Sequence, residues 1–483
     1  MTRLRYLLAA GVCALALGTA GPAKAEGTGG AGTPCHVPRV EDLATCHRIP
    51  VPEDRAKPDG RMIDLHVAVL PARGGGQGPT QAFFLLAGGP GQAATQMGPL
   101  VDAFLDGVRE THDIVLMDQR GTGHSNPLAC RLDADAEAAM RLDRAAMVGA
   151  VTACRNGWDA DLARYSTLDV VEDVELVRTR LGYDRLDLWG GSWGTRTALL
   201  YMRTYPGSVR SAVLDGVTAP NDVLLPGEPA HSQAALDATL SACAADADCA
   251  AAFPDLEGRF DAWFAGLDQA PPAAYADGAE GRVRSLPLDR DGVAQAIRGV
   301  LYSPNGAARL PYALDRMMAG DATALVPLAL GSATVVRDTM FLGSTLSSLC
   351  REEVPRAAGI PVPVSFTGTS WIDTWRALCD GFPADPLPPG YSDPVTVDVP
   401  VLLLSGGLDP ITPPVSAEKA AAHLPRATNL VAPAAGHITL THGCTRRLVA
   451  QFVRQGNADG IDPACLTERG RPPFVTGPMG PNP

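Results

Sequence analysis

The sequence predicts an α/β fold with a mostly parallel central sheet, helices on both faces and a helical cap insertion. Short apolar segments without polar alternation are typical of buried parallel strands, and helical patterns separate several of them. A long region of helical pattern then interrupts the series before strand signals return near the C-terminus. Such alternation of strands and helices predicts a parallel sheet that is covered on both faces.

The predicted strands lie towards both ends of the chain, with helices between them. Residues 62–70 alternate apolar and polar side chains, as in a partly exposed strand. Buried strands are predicted at residues 82–87, 113–117, 186–189, 212–214, 399–405 and 428–431. Helices are predicted at residues 168–181, with Asp169 or Thr167 as the cap, at residues 195–205 and at residues 445–454.

The middle of the chain differs from both ends. Residues 220–390 carry helical patterns that Pro and Gly interrupt, and they show no strong strand signal. We therefore divide the chain into a signal peptide (1–25), an N-terminal extension (26–44), a first core part (45–219), a helical cap insertion (220–394) and a C-terminal core part (395–483).

The N-terminus has the pattern of an export signal. Arg3 and Arg5 precede an apolar run over residues 7–20, and residues 23–25 have the Ala-x-Ala form of a cleavage site. The run is shorter than the ~20 residues that span a bilayer, so a retained membrane anchor is the weaker alternative. We expect a secreted protein, in the extracellular or cell-envelope space, with no membrane contact after cleavage. Residues 26–34 are rich in Gly, Thr and Ala and are predicted to be disordered.

Ten cysteines follow the predicted signal, and an even number in an oxidising compartment implies disulfides. Pairing of nearest neighbours would join Cys35 with Cys46, Cys130 with Cys154, Cys243 with Cys249, Cys350 with Cys379, and Cys444 with Cys465. The sequence alone does not fix this connectivity. A metal site is the rival explanation, but there is no Cys-x-x-Cys and the histidines are scattered. We predict no metal and no cofactor.

The charge balance is acidic, with 40 Lys and Arg against 53 Asp and Glu and a formal net charge of −13. Without a basic run, this balance argues against nucleic acid or an anionic membrane surface as a partner. The expected partner is a peptide or small acyl substrate, and the oligomeric state is not legible from the sequence.

The sharpest chemical signal is Gly-Gly-Ser-Trp-Gly at residues 190–194, which fits the pattern G-x-S-x-G. It follows an apolar strand and precedes a helix, the context in which a strained turn exposes a nucleophilic serine. We therefore predict Ser192 as the nucleophile. The backbone N–H of Trp193 lies at the helix N-terminus, where it can stabilise an oxyanion.

A nucleophilic serine needs a base and an acid, and in a fold with this strand-turn-helix elbow they follow the serine in the order acid, then histidine. His437 lies on a loop after the strand predicted at residues 428–431, and His442 is the second choice. Asp409 follows the strand predicted at residues 399–405 at its carboxyl end, whereas Asp393 and Asp398 precede that strand. We predict Asp409 as the acid that orients His437.

The second oxyanion donor is expected on the loop after an earlier strand. Residues 88–91, Gly-Gly-Pro-Gly, follow the strand predicted at residues 82–87. Glycine lets a backbone N–H approach the substrate without a side chain in the way. Gly89 is the predicted donor and Gly88 the alternative.

Together these motifs resemble the proline iminopeptidase and tripeptidyl aminopeptidase group of serine hydrolases with the α/β-hydrolase fold. Residues 88–91 are similar to its HGGPG loop, residues 118–125 to its DQRGxGxS segment, and residues 190–195 to its GGSWG elbow. Ala87 stands where many members have His. The resemblance spans residues 45–215 and 395–465, and the late cysteines Cys444 and Cys465 match the secreted branch.

This resemblance implies an exopeptidase, which must hold a free α-ammonium with a carboxylate. Glu352, with Glu353 second, is the implied ligand, because residues 350–353 resemble the cysteine-x-acidic segment of the branch, pinned by a Cys350–Cys379 disulfide. Asp118 and Arg120 are expected to form a buried pair that braces the oxyanion loop. A proline preference is implied in the same way. The alternative function is a secreted esterase or amidase acting on non-peptide substrates, since one triad serves both chemistries.

Overall fold

The structure is a computed structural model that describes residues 32–74, 81–130, 144–267, 269–277, 282–329 and 340–480. The predicted signal peptide at residues 1–25 lies outside the described residues, as do residues 26–31 of the predicted N-terminal extension. Thr33 and Pro34 belong to a strand instead of the disordered segment that the sequence predicts.

Strands and helices alternate along the chain before and after the cap, as the sequence predicts. The strands are β1 Thr33–His36, β2 Leu43–Pro52, β3 Met62–Leu70, β4 Gln81–Leu86, β5 His112–Met117, β6 Leu186–Gly191, β7 Val209–Asp215, β8 Gln269–Asp277, β9 Arg282–Asp289, β10 Val401–Gly406 and β11 Ala427–Ala432. The helices are α1 Gly98–Phe104, α2 Asp106–Arg109, α3 Arg144–Arg155, α4 Thr167–Leu181, α5 Trp193–Thr204, α6 Leu224–Ala245, α7 Ala247–Ala252, α8 Leu256–Ala265, α9 Arg290–Leu301, α10 Pro304–Ala307, α11 Leu310–Met318, α12 Leu342–Glu352, α13 Ser370–Cys379, α14 Pro414–Ala421 and α15 Thr445–Gln455.

Nine strands form one sheet in the order β1-β2-β3-β5-β4-β6-β7-β10-β11. The strands from β5 to β11 run parallel, and β1, β2 and β3 form an antiparallel edge. The predicted mostly parallel sheet is confirmed. The sequence missed β1 and β2, because edge strands with polar residues and three prolines lack the apolar run of a central strand.

The sheet is buried on both faces because successive side chains of a strand point in opposite directions. Phe84 joins the core on one face, against Val171 of α4 and Leu199 of α5. Phe83 joins the core on the other face, together with Phe452 of α15. This is why β4 appears in the sequence as a continuous apolar run.

The cap has a core of its own, built mainly from helices α6 to α11. It also contains an antiparallel hairpin of β8 and β9, where the sequence suggested only helices. The Pro-Pro pair and the alanines of β8 explain the miss, since both are poor strand formers. The C-terminal segment returns to this cap, where Phe474 joins its core and the Val475 N–H donates to the Ala308 carbonyl at 2.9 Å.

Five disulfides join the cysteines in the nearest-neighbour pattern: Cys35–Cys46, Cys130–Cys154, Cys243–Cys249, Cys350–Cys379 and Cys444–Cys465. The first ties β1 to β2, and the Cys350–Cys379 bridge ties α12 to α13. Among the described residues, no helix has the length and apolar character needed to cross a membrane.

Candidate active site

Ser192 lies in a sharp turn between the end of β6 and the start of α5. Its backbone has φ 54° and ψ −123°, a conformation that costs free energy for any residue with a side chain. The flanking glycines are required by close packing: a Cβ on Gly190 would lie 2.5 Å from the Gly194 carbonyl oxygen, and one on Gly194 would lie 2.0 Å from that of Leu86. The G-x-S-x-G pattern therefore reflects two contacts that only glycine permits.

Asp409 and His437 meet at the carboxyl ends of β10 and β11. The Nδ1 atom of His437 lies 2.8 Å from Oδ2 of Asp409. The Asp409 carboxylate also accepts the backbone N–H groups of Ile411 at 2.8 Å and Thr412 at 2.9 Å. The Thr412 hydroxyl donates to Oδ2 at 2.8 Å. These bonds fix the carboxylate, which in turn fixes the orientation of the imidazole.

The electrostatics of this pair suit a general base. Burial opposes the charged form of His437, but the attraction of the Asp409 carboxylate and the hydrogen bond to it raise the pKa of His437 above 6.5. Burial likewise opposes the charged form of Asp409, yet the interaction with His437 holds the pKa of Asp409 below 3.8. Since Nδ1 is bound to the carboxylate, Nε2 is the nitrogen that can accept a proton.

Strand β7 brings the nucleophile and the histidine together. The Ser192 N–H donates to the Asp215 carbonyl at 2.8 Å, and the next residue is Gly216. A Cβ on Gly216 would lie 3.3 Å from Cε1 of His437, so the ring packs directly on this backbone. Ser192, Asp409 and His437, all predicted from the sequence, thus lie at one edge of the sheet.

The alternatives to the predicted acid and base lie elsewhere. His442 is buried, and burial lowers its pKa. His423 is exposed after α14. Asp393 and Asp398 are exposed in the segment before β10, and Asp398 pairs with Arg426 at 3.8 Å. Only His437 is hydrogen-bonded to Asp409 among these histidines in the described residues.

The predicted oxyanion loop lies against the nucleophile turn. A Cβ on Gly88 would lie 3.0 Å from the Ser192 Cβ and 2.6 Å from the Gly191 carbonyl oxygen. Gly89 follows with φ 110°, a conformation that glycine adopts without strain. Trp193 begins α5, so its N–H is one of the unpaired donors at that helix N-terminus. The backbone of Gly88 therefore packs against the Ser192 side chain, and Gly89 and Trp193 are the next residues of the two turns that meet there.

Asp118 and Arg120 do not pair with each other, which corrects the sequence prediction. Asp118 accepts the Thr95 N–H at 2.9 Å and the His124 N–H at 3.0 Å, and so braces the segment after the oxyanion loop. Arg120 instead binds Asp173 of α4 through two bonds of 2.7 and 2.8 Å. The two residues are only two positions apart in the sequence, but each binds partners on a different segment.

Glu352 and Glu353 are both completely buried and have protein partners. Glu352 accepts the Thr167 N–H at 2.8 Å and the Tyr391 hydroxyl at 2.6 Å, and burial raises its pKa. Glu353 lies 2.5 Å from Arg196 of α5. It also accepts N–H groups at the start of α6. The ammonium-binding role that the resemblance implies for these two residues stays a prediction.

The cap covers the triad and adds residues that the sequence did not single out. His231 on α6 lies 2.9 Å from the Ile411 carbonyl oxygen through its Nδ1. The Tyr302 carbonyl accepts the backbone N–H of His437 at 3.1 Å, and the two rings meet edge to face with their centroids 5.4 Å apart. Nothing in a single sequence shows such contacts, because the cap residues lie more than a hundred positions from the histidine.

Two family models match separate parts of the chain, and each includes one end of the predicted cap insertion. Residues 81–260 match a model described as "alpha/beta hydrolase fold", and residues 363–465 match one described as "TAP-like protein". The chain has the α/β-hydrolase fold. The predicted resemblance to the aminopeptidase group is confirmed with it.

The chain is also similar to several known proteins. It is 30% identical to serine protease Hip1 of Mycobacterium tuberculosis over 45% of each chain. It is 28% identical to tripeptidyl aminopeptidase of Streptomyces lividans over 36% of each chain. A solved structure of proline iminopeptidase from Mycobacterium smegmatis is 17% identical, with a TM-score of 0.38 over 85% of this chain and 98% of that one. The match spans less than half the length of these curated relatives.

Proposed function

We propose that this protein is an exported serine exopeptidase that releases N-terminal residues or short peptides through an acyl-enzyme. The observation that carries the proposal is the Asp409–His437 hydrogen bond of 2.8 Å beside the strained Ser192 turn. A serine held in this turn, with an oriented imidazole beside it, is the arrangement of nucleophilic acyl transfer.

In the proposed reaction, the Ser192 hydroxyl attacks the scissile carbonyl while Nε2 of His437 takes its proton. Asp409 stabilises the imidazolium that forms. The N–H groups of Gly89 and Trp193 stabilise the oxyanion, with Gly88 as the alternative donor on the loop. His437 then returns the proton to the leaving amine, and water completes the cycle by attacking the acyl-enzyme.

Two features favour the end of a peptide as substrate over the interior of a folded protein. The cap covers the site so closely that the His437 side chain is only 10% exposed. A narrow covered site admits a chain terminus more easily than a folded segment. The relatives named tripeptidyl aminopeptidase and proline iminopeptidase point the same way.

We also propose Glu228 as a ligand for the substrate ammonium, beside Glu352 and Glu353. It lies on the first turns of α6, buried, with Oε2 at 3.0 Å from Arg298. Three residues further along α6, the Nδ1 atom of His231 lies 2.9 Å from the Ile411 carbonyl oxygen, so this part of the helix packs against the turn after Asp409. Arg298 also bonds to the hydroxyl of Tyr302, the residue whose ring packs on His437.

Export is supported by the disulfides and by the N-terminal pattern. Disulfides persist in oxidising compartments, and all ten cysteines of the described residues are paired. We therefore propose an extracellular or cell-envelope location, with removal of residues 1–25.

The test uses the purified mature protein and a fluorophosphonate probe that labels reactive serines, followed by peptide anilides. We expect labelling of the wild type and none of Ser192→Ala, with a matched Ser365→Ala control labelled normally. Anilides of one to three residues with a free N-terminus should be cleaved, and acetylated ones should not. In Glu228→Gln, kcat/KM should fall for free peptides and stay the same for a simple ester.

Each outcome decides a different part of the proposal. A Ser192→Ala protein that is still labelled would exclude the nucleophile. Equal cleavage of free and acetylated anilides would exclude the exopeptidase. Hydrolysis of esters with no cleavage of any anilide would favour the esterase or amidase alternative.

A further inference from the structure

Asp215 ends β7 and makes contacts to both halves of the proposed machinery. Its backbone carbonyl accepts the Ser192 N–H at 2.8 Å. Its carboxylate is completely buried. Oδ1 accepts the Thr439 N–H at 2.8 Å and the Thr439 hydroxyl at 3.0 Å, and Oδ2 accepts the Leu440 N–H at 2.9 Å. One residue therefore holds the nucleophile turn by its main chain and the histidine loop by its side chain.

The histidine loop needs such an anchor. Ile438 stands between His437 and Thr439 with φ 69° and ψ 105°. A β-branched residue at positive φ is strained and persists only where its surroundings impose it. Its side chain is partly buried against the apolar core, and the Asp215 bonds begin at the very next residue. Without them, the backbone at Ile438 would relax and the imidazole before it would turn.

The Asp215 carboxylate is held by hydrogen bonds and not by a salt bridge. Within the described part of the chain, no Lys or Arg forms an ion pair with Asp215, and its hydrogen bonds come from neutral donors. A buried carboxylate without a paired cation is costly. Burial raises the pKa of Asp215 to about 6, although its bonds to Thr439 and Leu440 oppose the rise. It is therefore negative at neutral pH and lies within electrostatic range of His437.

We propose that Asp215 is a positioning residue that sets His437 against Ser192, by anchoring the strained turn at Ile438 and by adding negative charge near the imidazole. The inference rests on the proposed function, since it assigns a role in the same acyl transfer. Three carboxylates act on His437 from three elements: Asp409 after β10, Asp215 at the end of β7 and Glu228 on α6. Of these, only Asp215 also bonds to the Ser192 turn among the contacts described.

The test is Asp215→Asn, which keeps the size of the side chain but removes its charge. It also replaces one acceptor oxygen by an NH₂ group, which faces a donor. We expect kcat for a cleaved anilide to fall about 10²-fold, the scale of a misplacement of about 1 Å, with KM within about twofold. The acid limb of the pH profile should move to lower pH, because one carboxylate that raises the pKa of His437 is gone. Adding Ile438→Gly should restore part of kcat, since glycine needs no anchor at positive φ.

Asp187→Asn is the matched control. Asp187 is an equally buried aspartate at the opposite end of β6, bonded to Ser211, His112 and Arg210. Its replacement should lower the melting temperature and leave kcat and the acid limb unchanged. Thr439→Val is the milder second variant, used if Asp215→Asn does not fold, and it should lower kcat in the same direction with KM unchanged.

The outcomes separate this inference from the proposed function. A wild type that the fluorophosphonate does not label overturns the function itself. A labelled wild type, with Asp215→Asn unchanged in kcat and acid limb, overturns the role of Asp215 alone. The role of Asp215 is also overturned if Asp215→Asn changes only the melting temperature, as Asp187→Asn does. If Asp215→Asn does not fold, a folded Thr439→Val with full kcat overturns it.

Discussion

At the scale of single residues, backbone strain coincides with the proposed chemistry. Ser192 and Ile438 both have positive φ. Ser192 carries the hydroxyl that would lose the proton, and Ile438 follows His437, which would accept it. Both turns are held by Asp215, one through its carbonyl and the other through its carboxylate. The strain at Ser192 is tolerable because β6 ends directly before it, and the strain at Ile438 because the next residue is bonded to Asp215.

The pH dependence of activity should report His437. Only the neutral imidazole can accept the Ser192 proton, and its pKa is raised above 6.5 by Asp409 despite burial. We therefore expect kcat/KM to fall as the pH drops through a value above 6.5. In Asp409→Asn, kcat should fall about 10⁴-fold and the acid limb should move to lower pH, because the group that raises the pKa is lost.

The control for this experiment is Asp398→Asn, at an exposed pair with Arg426 in the same part of the chain. It should leave the profile unchanged, since surface pairs contribute little. An acid limb at or below pH 6.5 in the wild type, or one that does not move in Asp409→Asn, would contradict the assignment of the pair.

At the scale of elements, a buried ion pair joins the nucleophile helix to the cap. Arg196 lies on α5, one turn after Ser192, with its guanidinium 4.1 Å from the Trp193 ring. It pairs with Glu353, whose other oxygen accepts the N–H groups of Leu224 and Leu225 at the start of α6. A carboxylate at a helix N-terminus satisfies donors that the helix cannot. The bridge therefore sets the position of α6 over the site.

Glu353→Gln should lower the free energy of unfolding by about 3–5 kcal/mol, because it leaves the buried Arg196 charge without compensation. Denaturant unfolding would measure the loss, and Glu418→Gln, at an exposed position on α14, should change it by less than about 0.5 kcal/mol. A folded Glu353→Gln with unchanged stability but a raised KM for free peptides would instead support the ammonium role that the resemblance implies.

At the scale of the whole molecule, the sheet and the cap have separate apolar cores. Disulfides tie elements that are neighbours along the chain, so they stiffen each part locally. Cys350–Cys379 encloses a separation of 29 residues, and Cys243–Cys249 encloses one of 6. In the chain-entropy model, the longer loop gains more from closure.

Replacing both cysteines of each bridge by alanine should therefore have unequal effects. We expect a loss of about 3–4 kcal/mol for Cys350–Cys379 and about 2–2.5 kcal/mol for Cys243–Cys249. Thermal unfolding of the two double variants gives the comparison directly. A larger loss at the short loop would show that local packing, and not loop closure, decides the stability of the cap.

The limits of sequence reasoning follow from what a linear pattern can encode. Central strands such as β4 were predictable within one or two residues, because burial on both faces requires a continuous apolar run. The edge strands β1 and β2 and the cap hairpin were not, since partly exposed pairs place few demands on side-chain type. The residues proposed for the triad were predictable because each follows the carboxyl end of a predicted strand, and their order along the chain could be compared with the expected order.

By itself, the sequence determined the sheet, the elbow at Ser192 and the order of Asp409 and His437 after it. Local rules suffice there, because glycine spacing and apolar runs are imposed by backbone packing. Only the tertiary structure decided that Glu352 and Glu353 are buried, and that Asp215 holds both Ser192 and the histidine loop. A carboxylate looks the same in a sequence whether it faces a substrate, an arginine or a backbone N–H, and its partners come from distant segments that meet only on folding.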